Sequence, residues 1–158
     1  MEIVQYDNRY AQDFVALNTA WIIDLFGHLE KEDMKTFLHI EKEFADGGMI
    51  YFATENDEVM ATCMVRNTGH ETWEICKLAA NEKYKGKGAG NAVFAQCMKY
   101  VIDHGAKKLF ILSNSRLKAA LHIYPKHGFK EIKLKDYEYE RGDITFELTV
   151  TYTHDQRH

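Results

Sequence analysis

The segment Lys85-Gly86-Lys87-Gly88-Ala89-Gly90 places three glycines at alternate positions between a strand-like stretch and a strongly helical one. Without a Cβ, glycine lets backbone N–H groups point outward unobstructed. A helix N-terminus adds unpaired N–H groups of its own, so the two together make an anion site. Lys85 and Lys87 add positive charge, and a phosphate or pyrophosphate is the ligand class this chemistry suits. The same glycines would also serve as a turn that lets the helix pack closely. Two phosphate motifs do not fit. A nucleotide-hydrolase loop needs GxxxxGK followed by Ser or Thr, and KGAGNAVF follows Gly86. A dinucleotide fingerprint needs GxGxxG, and its last glycine would fall on Val93 or Asn91.

Glu74 lies in a strand-like run from Thr72 to Ala80. Alternation of period two would set Glu74, Cys76, Leu78 and Ala80 on one face. A carboxylate among apolar residues is costly unless partnered, which makes Glu74 a candidate general base, directly or through water. The alternative is an exposed or ion-paired carboxylate, with Lys77 or Arg66 as the cation. Asn114 and Ser115 follow an apolar strand and suit either a helix cap or a cofactor contact. The three cysteines, Cys63, Cys76 and Cys97, form no CxxC pair and no zinc spacing, and their apolar surroundings read as buried thiols. The apolar setting of Cys76 and its lack of an adjacent histidine argue against a covalent acyl carrier. No HExxH motif occurs among the eight histidines, and no metal is expected.

These residues need elements to hold them. Ile3 to Tyr6 reads as a first strand. Tyr10, Phe14, Leu17, Trp21, Ile22 and Leu25 recur at helical spacing, and Gly27 breaks the run. A second helical pattern runs from Met34 to Phe44 and ends at Asp46-Gly47-Gly48. Met49 to Thr54 and Glu58 to Arg66 read as strands joined by a tight turn at Glu55-Asn56-Asp57. The glycine loop opens a helix that ends at His104-Gly105. Leu109 to Leu112 is apolar throughout and reads as a strand buried on both faces. Arg116 to Tyr124 is a short helix, and Phe129 to Leu134 and Ile144 to Tyr152 are closing strands. The order is that of a mixed α/β or α+β layer protein.

Composition sets the bounds. The chain has 158 residues, enough for one domain spanning 1–158, and 46% of them are hydrophobic. A chain of this size buries roughly 70% of its unfolded surface. Against 20 basic residues stand 24 acidic ones, a net charge of −4, which argues against a nucleic-acid partner. No apolar run approaches the ~18 residues of a membrane span. The N-terminus shows no export signal, so neither a membrane nor secretion is expected and the cytoplasm is the expected location.

The segment Lys77-Leu78-Ala79-Ala80-Asn81-Glu82-Lys83-Tyr84-Lys85-Gly86-Lys87-Gly88-Ala89-Gly90 resembles the acetyl-CoA motif of the GNAT N-acetyltransferase superfamily, written Gln or Arg-x-x-Gly-x-Gly or Ala. Lys85, Gly88 and Gly90 fill its slots. Further on, Ala120-Leu121-His122-Ile123-Tyr124-Pro125-Lys126-His127-Gly128-Phe129 resembles the family's second signature, A-x-x-Leu or Ile-Tyr-x-x-x-Gly-Phe. The clear resemblance covers Thr72 to Ile132. It implies a GNAT-type acyl-CoA N-acyltransferase fold of the α/β (α+β) class. That fold has a central, mixed, mostly antiparallel twisted sheet of about six to seven strands flanked by about four helices. It implies acetyl-CoA as co-substrate, with pantetheine along Leu78, Ala79 and Ala80 and pyrophosphate on the amides of Lys85, Gly86, Lys87, Gly88, Ala89, Gly90 and Asn91. It also implies Tyr124 as acid for the thiolate leaving group. In isolation Tyr124 would equally be an amphipathic core tyrosine. The sequence departs from the family pattern in four places. Lys85 replaces Gln or Arg, Asn81 replaces a common proline, and Leu117 replaces an asparagine for which Asn114 partly substitutes. Pro125 sits in the last helical turn.

In this family the N-terminal helices wall the acceptor pocket. Here they carry Trp21, Phe26, His28, Glu30, Glu32 and Asp33, an acidic and aromatic set suited to a cationic small-molecule or peptide amine. Core packing and a solvated helix start are the other reading of the same residues. The apolar closing strands leave a homodimer open. A non-catalytic acyl-CoA-binding regulatory module on the same fold is the alternative function.

Overall fold

The apolar spacing from Phe14 to Leu25 forms helix α1, Ala11–Phe26, in the computed structural model, which describes residues 1–133 and 141–152. Gly27 ends it in the left-handed conformation, φ +81°, its N–H donating to the Ile23 carbonyl. Helix α2, Lys31–Leu38, opens with a capping box in which Asp33 accepts from the Glu30 N–H at 2.9 Å. The second helical pattern does not continue to Phe44. It breaks at His39 into a short 3-10 segment, Ile40–Phe44, which turns Ile40 into the core while Leu38 stays 69% exposed.

Among the described residues, seven strands form one sheet in the order β1-β2-β3-β4-β5-β7-β6. They are β1 Glu2–Gln5, β2 Met49–Glu55, β3 Glu58–Gly69, β4 Thr72–Ala80, β5 Lys108–Ser113, β6 Lys130–Ile132 and β7 Ile144–Thr149. Asn56 and Asp57 both take positive φ, as a two-residue hairpin turn requires, and join β2 to β3 where the sequence predicts a turn. Every pairing is antiparallel except β4 with β5, whose crossover is helix α3, Ala89–Asp103. Helix α4, Lys118–Lys126, leads to β6 at the sheet edge, and β7 then inserts between β5 and β6. The expected mixed, mostly antiparallel sheet and four helices are present among the described residues. Leu134, expected at the end of a closing strand, lies outside the described residues.

The two faces carry separate cores. Val93, Phe94 and Cys97 of α3 pack with Trp73, Ile75 and Ile111 on one side. Phe14 of α1 packs with Ile50, Phe52 and Met64 on the other. β5 differs from its expected burial on both faces. Leu109, Ile111 and Ser113 are buried on one face while Phe110 and Leu112 on the other are half-buried. No helix among the described residues is long and apolar enough to cross a membrane.

Candidate active site

The parallel ladder between β4 and β5 joins only Thr72, Trp73 and Glu74 to Lys108, Leu109 and Phe110. Beyond Glu74 the two strands part. Into the opening falls a cleft of about 380 Å³ lined by Leu78, Ala79 and Ala80 of β4, Ser113 of β5, and Ile123 and Tyr124 of α4. Backbone groups of β4 and β5 that would pair with each other in a closed sheet border this cleft instead. Glu74, Asn114 and Gly90 also line it, so the structure gathers these expected site residues around one cavity.

The glycine loop lies at the start of α3. Gly86 and Gly88 have φ of +84° and +77°, a region that L side chains rarely enter. No side chain caps α3, and its first intrahelical bond runs from Ala92 N–H to the Gly88 carbonyl at 3.0 Å. The amides of Ala89, Gly90 and Asn91 therefore have no acceptor within the helix. Lys85, Gly86, Lys87, Gly88, Ala89 and Asn91 sit in this turn and first helical turn, while Gly90 reaches the cleft itself. The Asn91 side chain meets His127 Nε2 at 2.9 Å, tying the start of α3 to the end of α4.

Tyr124 is 4% exposed and packs between Phe94 and Phe146, with ring centroids 5.5 and 5.2 Å away. Burial, with a smaller contribution from Cys63, pushes its phenol far above the ordinary value and keeps it protonated. Pro125 is accommodated in the last turn of α4. Asn114 spends both polar ends within the protein. Its Oδ1 accepts from Arg116 N–H at 2.8 Å and its Nδ2 donates to the Arg141 carbonyl. The cap of α4 is instead Leu117, with no side-chain bond, so Asn114 orders the turn before the helix.

The expected single face of β4 is corrected. Lys77 adopts φ +54°, and the pairing of Thr62 with Ala79 and Met64 with Cys76 leaves an extra residue in β4. This bulge reverses the alternation. Glu74 and Cys76 keep the α1 side, whereas Leu78 joins the core on the α3 side. Glu74 is 3% exposed and accepts from Arg66 at 3.1 Å, and Arg66 also binds Glu43 at 3.1 Å. Burial, then the negative charge of Glu74, pushes the Cys76 thiol well up and makes it a poor nucleophile. Cys63 and Cys97 are buried and free, whereas Cys76, also expected buried, is free but half-buried.

The acidic acceptor wall is also corrected. Asp33 is fully buried and binds Lys77 at 2.5 Å and both terminal nitrogens of Arg141 at 2.6 and 2.7 Å. Glu30 binds Arg141 at 2.9 Å. These carboxylates are neutralised by partners distant in sequence and do not face an amine as bare charges. Trp21 and Asp24 do line the cleft, with Trp21 Nε1 donating to Asn18 Oδ1 at 3.0 Å. Phe26 stacks under Arg116, 5.2 Å from ring centre to guanidinium carbon.

A sequence model of the acetyltransferase (GNAT) family matches residues 5–129. The chain belongs to the GNAT acetyltransferase family. The fold agrees. An acetyltransferase of the GNAT family from Staphylococcus aureus Mu50 superposes with a TM-score of 0.85 at 14% identity, covering 95% of this chain and 99% of its own. The Salmonella typhimurium protein yncA, solved with its cofactor acetyl-CoA, superposes at 0.76 with 12% identity over 97% and 95%. A paia N-acetyltransferase from Thermoplasma acidophilum, in complex with coenzyme A, superposes at 0.71 with 13% identity over 94% and 98%. No curated protein sequence matches the chain.

Within this GNAT chain, the sequence motifs account for the loop and for Tyr124 but miss Ser113, Arg141 and the left-handed backbone of Lys77. Ser113 ends β5 beside the cleft, Lys77 forms the bulge, and Arg141 binds the N-terminal turn of α2. Ser113 lies next to Asn114 and could have been raised with it. Arg141 stands in no motif, and its partners become visible only in three dimensions. Among the described residues, no cluster of His, Cys, Asp or Glu could hold a metal ion.

Proposed function

We propose that the protein is an acetyl-CoA-dependent N-acetyltransferase that passes the acetyl group to a primary amine by direct attack in a ternary complex. The observation that carries this reading is the parting of β4 and β5 after Glu74, which opens a cleft reaching Gly90 at the uncapped start of α3. The residues present suit the co-substrate. The edge of β4 at Leu78, Ala79 and Ala80 that has parted from β5 suits a pantetheine amide, and the α3 amides with Gly86 and Gly88 suit a pyrophosphate. Structural relatives solved with acetyl-CoA or coenzyme A support the same ligand class.

The neutral amine attacks the thioester carbon, and a β4 amide near Leu78 or Ala79 stabilises the oxyanion. The amine proton leaves through Glu74, directly or by way of water. As the carbon–sulfur bond breaks, Tyr124 gives its phenolic proton to the thiolate. The inert Cys76 thiol favours direct transfer over an acyl-enzyme. The acceptor is a small-molecule or peptide amine that enters past Trp21 and Asp24.

Calorimetric titration with acetyl-CoA, with ATP and NAD as controls, tests the reading. Selective binding of acetyl-CoA that is lost in Gly88→Glu and Gly90→Glu is expected. No binding by the wild type would leave the loop a packing turn and overturn the transferase. Binding without turnover on any amine would favour the regulatory acyl-CoA-binding module.

A further inference from the structure

Ser113 is the last residue of β5, beyond the point where that strand has left β4. Alternation of period two puts it on the same face as Leu109 and Ile111, which pack in one cluster with Tyr124. It is 5% exposed and lines the cleft, and its Oγ has no hydrogen-bond partner among the described residues. Native structures keep few such atoms, and those they keep call for an explanation. Asn114, the next residue, shows the usual outcome, with both polar ends bonded. Burial raises the Tyr124 phenol, and the nearby Ser113 hydroxyl works in the opposite direction by favouring the ionised form. The two hydroxyls lie near one another without a closed hydrogen bond between them.

Tyr124 has a difficulty that this hydroxyl answers. A phenol in an apolar pocket resists giving up its proton, because the phenolate would be buried among Phe94 and Phe146. A hydroxyl that strengthens its hydrogen bond only as charge develops aids the reaction without first stabilising the resting state.

We infer that Ser113 is a positioning residue for acetyl transfer, its hydroxyl donating a hydrogen bond to the Tyr124 oxygen as that phenol passes its proton to the departing sulfur. The inference rests on the N-acetyltransferase reading above. The proton balance is complete. The amine nitrogen loses one proton through Glu74 or water, the sulfur gains one from Tyr124, and Tyr124 regains one from solvent at turnover. Ser113 keeps its own proton throughout.

Free CoA is the probe, so no acceptor is needed. Its thiol is titrated in the protein complex by the ultraviolet absorbance of the thiolate, with CoA-free protein as blank. In Ser113→Ala the bound thiol should ionise about one pH unit higher than in wild type, a tenfold loss of thiolate stabilisation acting through Tyr124. Ser113→Thr should restore the wild-type value. In a Tyr124→Phe background, Ser113→Ala should change nothing further. Calorimetric CoA affinity checks that each variant is folded, and Ser113→Cys, close in size with only a weak donor, replaces an alanine variant that fails this check. Identical thiol ionisation in wild type and Ser113→Ala would overturn the inference, as would an undiminished Ser113 effect in the Tyr124→Phe background. Either result leaves the transferase reading in place, whereas a wild type that does not bind CoA would remove both.

Discussion

Lys77 Nζ and Asp33 Oδ1 lie 2.5 Å apart and join the left-handed residue of β4 to the first turn of α2, with both side chains buried. A non-glycine residue in this conformation costs on the order of 1–2 kcal/mol, so the bulge persists because the ion pair and its surroundings hold it. The same Asp33 binds Arg141 and the Glu30 N–H, making one carboxylate the link between the start of α2 and the edge of the cleft.

Asp33→Ala should therefore destabilise strongly. It leaves two cations buried without that carboxylate, a class of change that costs about 3–5 kcal/mol. Denaturant unfolding at neutral pH measures it. A loss under about 1 kcal/mol, the range of exposed pairs, would show that water reaches the cluster.

Acid should expose the same link. Burial works to raise the Asp33 carboxyl, but hydrogen bonds from Arg141 and the charge of Lys77 outweigh it and bring it down to about 2. A folded-state value below the unfolded one contributes stability above pH ~4, lost as pH falls toward 2. The contribution is about 2 kcal/mol. Thermal melts from pH 6 to 2 should fall more steeply in wild type than in Asp33→Asn, and parallel curves would contradict the assignment.

Tyr124→Phe should lower kcat by roughly 100-fold or more, the range of a lost general acid, while acetyl-CoA affinity holds. Because burial raises the wild-type phenol, its ionisation should not limit the rate at pH 9. Steady-state kinetics across pH decides both points, and an alkaline loss of rate below pH 9 that disappears in the phenylalanine variant would contradict the second.

Glu74→Gln should reduce turnover more than it raises KM for acetyl-CoA, since the amide keeps the shape but not the basicity of the carboxylate. Unchanged kinetics would leave Glu74 a structural role, of which its bond to Arg66 is part.

Asp24→Asn should raise KM for the amine several-fold and leave calorimetric acetyl-CoA affinity unaltered. Asp24 lines the cleft and is exposed, unlike the neutralised Asp33. A panel of polyamines, amino sugars, amino acids and peptide N-termini supplies the acceptor, and activity confined to anionic acceptors would count against any role for this charge.

What the sequence by itself determined is local. Glycines at 86 and 88 mark positive φ, the helical run that follows marks an uncapped N-terminus, and the two motifs order the loop before Tyr124. The turn at Asn56-Asp57 and the bounds of β4 are local for the same reason, because a few neighbouring residues set the backbone there. Tertiary structure decided the rest. Lys77 carries no mark of left-handed backbone, yet its single conformation moves Leu78 to the opposite face from Glu74. Asp33 and Glu30 read as free acids until Arg141, remote in the chain, closes on them. The insertion of β7 between β5 and β6 depends on pairings between distant segments. Such contacts depend on how both faces of the whole sheet are buried, and no short stretch of residues encodes that.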